Sequence, residues 1–155
     1  VGSLLKEKIT KTKSKEDVLI YHTWNIEDKS QKAQSMEYNK FKNFVIENNN
    51  KKIIFISTSS QKESSYVKFK QLSESFLIEN CKNCLILKFP TLIGKGVFYD
   101  FKEDKKKPFG KMNIMSVESA CDLIINNLNY DGFLKSKIFE GQAIDAKLVY
   151  ELVRL

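Results

Sequence analysis

Arginine is nearly absent from this 155-residue chain: Arg154 is the only one, against 25 lysines. Arginine grips phosphates and guanine edges with a bidentate fork, while lysine offers only a point charge. The excess of 26 basic over 19 acidic residues, with a net charge of +7 and a pI near 9.2, therefore does not describe a dedicated nucleic-acid-binding protein. The lysines are scattered beside asparagines, as in Asn48-Asn49-Asn50-Lys51-Lys52, which fits lysine-rich codon usage better than a binding stripe. Long apolar runs are missing too. None approaches the roughly 18 residues of a membrane span, and no basic, apolar and small-residue leader opens the chain. Three cysteines are too few, and odd in number, for a secreted disulfide scaffold. The expectation is a soluble protein of the reducing cytoplasm, with no membrane partner. Cys81-Lys82-Asn83-Cys84 has zinc-knuckle spacing, but there is no second pair and structural zinc usually takes four ligands. No metal is expected, and the sequence shows no internal repeat.

What is present is a core. A 42% hydrophobic and 12% aromatic composition excludes disorder and suits one globular domain. Val1 to Ile9 reads as the first turns of a helix, with Leu4, Leu5 and Ile9 on one face and Gly2 where a close approach is needed. Asp17 to His22 is a buried strand, and about Asp28 to Asn48 a helix carrying Phe41, Phe44 and Val45. Lys52 to Thr58, apolar on both faces, belongs in the middle of a parallel sheet. A helix from about Ser64 to Asn80 points Val67, Leu72, Phe76 and Leu77 inward, and Cys84 to Phe89 is a further buried strand. Residues 94–110 form the one long loop, expected to be mobile. Ser116 caps a helix with Val117, Ala120, Cys121, Ile124, Ile125 and Leu128 inward. Ile138 to Glu140 is a short strand, and Asp145 caps a last helix with Leu148, Val149, Leu152 and Val153 inward. This alternation means an α/β fold with a parallel sheet. Such sheets bind ligands at the carboxyl ends of their strands, which here are His22 to Trp24, Ser57 to Ser60 and Pro90 to Gly96.

Tyr66 and Lys70 stand four apart on the predicted 64–80 helix, one above the other on one face. An ammonium beside a phenol favours tyrosinate, so Tyr66 is expected to titrate below its ordinary value near 10 and to trade a proton. The spacing alone is weak. With six tyrosines and 25 lysines it arises by chance, and Tyr38 and Lys42 share it. Context separates the two pairs: a central strand ends in Ser57-Thr58-Ser59-Ser60 just before the helix that carries Tyr66. The bland reading remains an exposed helix pair of no consequence.

Taken in order, these segments resemble the short-chain dehydrogenase/reductase superfamily, in particular its extended branch of NAD-dependent sugar-nucleotide epimerases, dehydratases and reductases. Gly2-Ser3-Leu4-Leu5 looks like the end of the GxxGxxG turn, and Asp17 to His22 like the DxVIH strand. Ile54 to Ser59 looks like the strand ending in the catalytic serine or threonine, and Tyr66 to Lys70 like YxxxK, followed by Glu74. Leu87 to Gly96 is similar to the stretch after the next strand, with Lys88 in place of arginine; Met112 to Leu128 and Ile138 to Leu155 resemble the closing segments. The resemblance implies a reduced, Rossmann-like three-layer fold with a mostly parallel sheet. It implies NAD or NADP as cofactor and a nucleotide sugar as substrate. Tyr66 would be the general acid/base and Lys70 would bind the ribose and tune Tyr66. Thr58 or Ser59 would hydrogen-bond the reacting oxygen, and Gly2, His22, Thr23, Ser57 and Pro90 would lie beside the cofactor. A homodimer is a possible assembly.

Two departures stand out. The chain supplies only the last glycine of the phosphate turn, so the preceding strand and two glycines either lie upstream of Val1 or are absent. Only about seven residues separate the first helix from Asp17, where the family has two further strands that hold the adenosine. The substrate lobe is reduced to the 94–110 loop and the remnant 111–155. Poor dinucleotide binding is the expectation, and a non-catalytic relative serving as a binding or scaffold module is the alternative. Lys105-Lys106-Lys107 reads as a solvated loop or as a clamp for a substrate diphosphate.

Overall fold

The computed structural model describes residues 2–10, 17–94 and 96–155. Val1, Lys95, the short 11–16 stretch and the side chains of Ile9 and Thr10 lie outside the described residues.

Two strands make the centre. β2 (Lys52–Thr58) and β3 (Cys84–Phe89) run parallel in the register Ile53↔Cys84 through Thr58↔Phe89. Their side chains alternate with the period of two that a pleated strand imposes. Ile53, Phe55, Cys84 and Ile86 face one way, toward α2 (Gln31–Asn48) and α3 (Ser65–Asn80), where they pack with Phe41, Val45 and Leu77. Ile54, Leu85, Leu87 and Phe89 face the other way, toward α1 (Gly2–Thr10) and α5 (Val117–Asn126), and pack with Leu5, Ala120, Cys121 and Ile124. Both strands are apolar through their middles because both faces are covered there. β1 (Val18–Tyr21) and β6 (Ser136–Ile138) flank the pair, giving the all-parallel order β1-β2-β3-β6. Helices on both faces of this sheet make the three layers expected from the sequence.

The helix starts follow their caps. The hydroxyls of Ser30, Ser64 and Ser116 and the Asp145 carboxylate each accept a hydrogen bond from a first-turn N–H. Buried Lys52 secures the far end of α5: its Nζ donates to the carbonyls of Leu128 (2.7 Å) and Tyr130 (2.6 Å).

Several expectations need correction. Among the described residues β1 is an edge strand that pairs with β2 alone, and its side chains are half-buried throughout. Residues 94–110 are not a bare loop: they contain α4 (Val97–Lys102), whose Phe101 packs with Ala146 and Val149 of α6 (Ala146–Val153). Asp104 anchors the segment further by accepting from Lys107 Nζ (2.8 Å) and Tyr150 Oη (2.5 Å). A second small sheet joins β4 (Thr91–Leu92), β5 (Lys111–Met115) and β7 (Gln142–Asp145), of which β4 and β7 are too short to register as apolar runs. The Ile138 to Glu140 strand begins two residues earlier than expected, at Ser136. Leu72, Leu148 and Leu152 are exposed. α3 and α6 each turn a narrower stripe inward than their apolar content suggested, since each is covered on one side only.

Candidate active site

The site is built where β2 and β3 end. Ser57 and Lys88 are register partners, and by the strand period both face α3. Glu74 of α3 bridges them: Ser57 Oγ donates to Oε1 at 2.5 Å and Lys88 Nζ contacts Oε2 at 2.6 Å. All three side chains are largely buried. This closed cluster ties two strands and a helix together with charge-assisted bonds, each of which typically contributes about 1.5 to 3 kcal/mol.

One turn earlier on α3, Lys70 is 4% exposed, and its Nζ donates to the Ile56 carbonyl at 2.8 Å. Its ammonium faces the rings of Trp24 (4.4 Å to the centroid), Phe55 (4.7 Å) and Tyr66 (5.9 Å). Trp24 is held over it from the side of α2. The indole N–H donates to Gln34 Oε1 at 2.7 Å, and the amide of fully buried Gln34 donates to the carbonyls of Asn25 (2.9 Å) and Asp28 (2.7 Å). Burial pulls Lys70 down to about 7, with the Glu74 and Glu37 carboxylates opposing.

Tyr66 lies one turn nearer the start of α3, its ring between Lys70 and Lys29, whose Nζ is also 5.9 Å from the centroid. Burial pushes its phenol up to about 12. That reverses the sequence expectation of a phenol made acidic by Lys70. The lysine is itself partly neutral at pH 7, and its ammonium sits against the ring while bonding to a backbone carbonyl. Among the described residues no hydrogen bond is made to Tyr66 Oη, and burial is the cause of its raised value. At neutral pH Tyr66 keeps its phenolic proton.

Of the other candidates, Thr58 Oγ1 accepts from its own turn, from Ser60 N at 3.1 Å, and Ser59 N donates to Phe89 O at 2.9 Å. Neither bonds to Tyr66. Ser57 is turned inward to Glu74. Thr23 is exposed. His22 lies against Gly2, where an added Cβ would stand 3.0 Å from the imidazole Cε1, so the close approach foreseen at Gly2 is made to His22. Partial desolvation lowers His22 below its usual value. Gly2 and His22 also line a hollow of about 340 Å³ along the open edge of β1, with Leu5, Lys6 and Val18 to Ile20. Pro90 packs on Gly141, where a Cβ would stand 2.8 Å from the proline ring and 2.2 Å from the Ile114 carbonyl oxygen.

The competing pair, Tyr38 and Lys42, has an ammonium 4.6 Å from the ring, and Tyr38 packs against Phe69 and Phe76 between α2 and α3. It is packing. Cys81 and Cys84 sit in the α2/α3 core, where burial pushes both thiols up. Among the described residues no group of three or more His, Cys, Asp or Glu side chains comes together to hold a metal.

Sequence reasoning missed the cover that Trp24 forms over Lys70, although a signal existed. The buried stripe of α2 reads Gln34, Glu37, Phe41, Val45, and a glutamine on an otherwise core-facing stripe needs a polar partner.

The fold has counterparts among solved structures. The Bordetella bronchiseptica enzyme WbmG, in complex with NAD, superposes with a TM-score of 0.69 at 13% identity over 97% of this chain. A dTDP-4-dehydrorhamnose reductase from Bacillus anthracis, in complex with NADP, gives 0.68 at 12% identity over 99% of this chain and 68% of its own. A UDP-N-acetylglucosamine 4-epimerase from Bacillus cereus gives 0.64 at 14% identity over 97% of this chain and 66% of its own. The fold is Rossmann-like. The chain spans 58% of the length of WbmG. No family model matches the sequence, and no curated protein matches it. Among the described residues no helix is long and apolar enough to cross a membrane.

Proposed function

We propose that this chain is the core of a nicotinamide-dependent enzyme that acts on a nucleotide-linked sugar, reducing, epimerising or dehydrating it at a carbon bearing oxygen. The observation that carries the reading is the Tyr66–Lys70 pair on α3, with Lys70 reaching β2 and Tyr66 keeping its proton beside the strand end. A nicotinamide, when bound, supplies or accepts the hydride. Tyr66 donates the proton that a carbonyl oxygen needs as it becomes a hydroxyl, and its raised pKa suits the reductive direction. Thr58 or Ser59 orients that oxygen from the end of β2. Lys70 sets the polarity beneath the Tyr66 ring, and Glu74 fixes the strand ends from which these groups project.

The residues present fit part of a dinucleotide. The start of α1 suits a pyrophosphate, although the close approach that Gly2 permits is made to His22. Tyr66 and Pro90 suit the nicotinamide end. For the adenosine nothing comparable exists, because among the described residues β1 is the edge of the sheet.

A second reading, a non-catalytic relative that serves as a binding or scaffold module, is favoured by one observation. The Lys70 ammonium is bonded to Ile56 O under Trp24, and neither Lys70 nor Tyr66 lines the hollow along β1 or the one of about 410 Å³ between α4 and the end of α6. Turnover assays with NAD(H) or NADP(H) and UDP- or dTDP-linked sugars separate the two. Tyr66→Phe should lower turnover by about 100-fold or more, the usual contribution of a positioned acid. Turnover that survives this change at the original rate would remove Tyr66 from the reaction, and a folded chain inert with every sugar nucleotide would leave the scaffold reading.

A further inference from the structure

The amino edge of the parallel sheet, opposite the candidate site, carries two large apolar side chains that none of the described residues covers. β2, β3 and β6 run parallel, so the turns that lead into them, residues 49–51, 81–83 and 127–135, gather along that edge. In the last of these Phe133 is 104% exposed and its neighbour Leu134 61%. The exposure does not come from a slack loop. Lys52 Nζ holds the Tyr130 carbonyl at 2.6 Å, and Tyr130 Oη accepts from Leu134 N at 3.2 Å. Lys137 Nζ lies 3.6 Å from the centroid of the Tyr130 ring while it donates to Asn127 Oδ1 at 2.7 Å. Gly132 folds against the same ring, where a Cβ would stand 2.5 Å from Tyr130 Cζ. The chain then enters β6, with Ile86 N donating to the Lys135 carbonyl at 2.8 Å. Tyr130 thus fills the inside of the loop and leaves Phe133 and Leu134 at its tip. An apolar pair displayed on a fixed backbone has hydration to shed and little ordering left to undergo on binding.

Lysines flank this tip. Lys135 Nζ donates to the Lys82 carbonyl at 2.6 Å, and Cys81 Sγ donates to the Lys51 carbonyl at 3.5 Å, which brings the three turns into contact. Each turn contributes one exposed lysine: Lys51, Lys82 and Lys135. Among the described residues no carboxylate pairs with any of them. Asp131 is the single acidic residue of the three turns, and Glu47 and Glu79 stand behind them in the last turns of α2 and α3. The edge therefore combines a protruding apolar tip with an unpaired basic rim, on a chain whose net charge is +7. That charge complements an anionic surface.

We propose that this edge is a peripheral membrane contact, in which Phe133 and Leu134 enter the interface of an anionic bilayer and Lys51, Lys82 and Lys135 meet its phosphate headgroups. An acidic protein partner would need a pocket shaped to the two side chains, whereas a bilayer accepts a protruding apolar tip of any outline. Two apolar anchors and three lysines give attachment that is reversible and sensitive to salt. Such a contact asks for no spanning helix, and it reverses the sequence expectation of no membrane partner for this edge alone. A chain attached in this way turns its carboxyl edge, with Tyr66, toward solvent. The contact stands whether or not the protein is an enzyme.

Flotation of the full chain with phosphatidylcholine vesicles, with and without phosphatidylglycerol, tests it. Binding is expected only where phosphatidylglycerol is present, and it should fall with added salt. The pair Phe133→Ser and Leu134→Ser should weaken it about tenfold or more, and so should the triple variant Lys51→Gln, Lys82→Gln, Lys135→Gln. All five side chains are exposed, so circular dichroism should show the fold unchanged. A control at another exposed phenylalanine and three other exposed lysines, Phe109→Ser with Lys102→Gln, Lys111→Gln and Lys147→Gln, should stay within about twofold. A second readout reports on the tip itself: with Trp24→Phe and Phe133→Trp combined, emission from the single indole should shift to the blue on anionic vesicles. No binding to those vesicles, equal loss in the control, or binding without the blue shift would overturn the contact. Binding to polyglutamate as tight as to the vesicles, and equally dependent on Phe133 and Leu134, would make the edge a docking site for acidic protein and overturn the membrane assignment.

Discussion

Lys70 Nζ lies 4.4 Å from the centre of the Trp24 ring while it donates to the Ile56 carbonyl, so the one tryptophan of the chain covers a lysine whose charge is in play near neutral pH. A cation over a desolvated indole is held by about 2 kcal/mol, and that attraction vanishes when the amine loses its proton. Trp24 emission should therefore change with a midpoint near pH 7, the value to which burial brings Lys70. Lys70→Met should abolish the transition and His22→Gln should leave it in place. A midpoint that persists in Lys70→Met would mean that the indole senses another group.

The same lysine makes stability depend on pH in a defined direction. Its folded value, about 7, is depressed below the ordinary 10.5, so between these the unfolded chain binds more protons than the folded one. Stability then rises with pH from about 7 upward, and below that the cost of burying the charge is present in full. The expected gain is about 1 kcal/mol between pH 7 and pH 8, where the slope approaches 1.4 kcal/mol per pH unit. His22, lowered by desolvation, acts mainly below this window. The three cysteines and Tyr66, raised by burial, act in the opposite sense above it. Urea denaturation at pH 7 and pH 8 should show the gain in the original chain and not in Lys70→Met.

Glu74 sits between a hydroxyl and an ammonium, which makes its removal costlier than the loss of either single bond. Glu74→Leu leaves Lys88, whose side chain is 18% exposed, without its counter-charge, and should cost roughly 3 kcal/mol. Ser57→Ala removes one donor to the carboxylate and should cost about 1.5 kcal/mol, the low end for a charge-assisted bond. Adding Lys88→Met to Glu74→Leu should recover a substantial part of the loss, because an apolar pair no longer holds an uncompensated charge. A strictly additive double variant, measured by denaturant unfolding, would show that the ion pair has no coupling.

Much of this was legible because parallel strands covered on both faces are written as continuous apolar runs. Lys52 to Thr58 and Cys84 to Phe89 could be placed at the centre of the sheet from that feature alone, and the Ser116 and Asp145 caps marked where two helices begin. The short strands Thr91–Leu92 and Gln142–Asp145 could not be seen, since two to four residues give no measurable period. α4 was hidden for a different reason. Val97, Phe98 and Phe101 pack on α6, but glycines before them and lysines after them made the segment read as a loop. Spacing put Tyr66 and Lys70 on one face of α3 but gave the wrong sign for the phenol, because spacing reports distance along a helix and says nothing about desolvation. Only tertiary packing brings Trp24 and Gln34 onto Lys70 from another layer.

The remaining prediction concerns the dinucleotide. A nicotinamide dinucleotide is held at its pyrophosphate by a glycine turn and a helix start, and at its adenosine by the ends of strands beyond the first. This chain offers Gly2 and the start of α1 for the former, and among the described residues no strand lies outside β1 for the latter. Lys70 Nζ, which the family resemblance assigns to the ribose, is bonded to Ile56 O beneath Trp24 and would have to exchange that bond to reach a sugar. Several charge-assisted bonds of about 1.5 to 3 kcal/mol each are thereby lost, which weakens affinity by several orders of magnitude. Calorimetric titration of the 155-residue chain with all four nicotinamide forms should find only weak binding, well above micromolar. Trp24→Leu, which uncovers Lys70, should tighten it if that cover is the obstacle. Micromolar binding by the original chain would show that the described residues already make an adequate cofactor site, and would place the enzyme reading well ahead of the scaffold one.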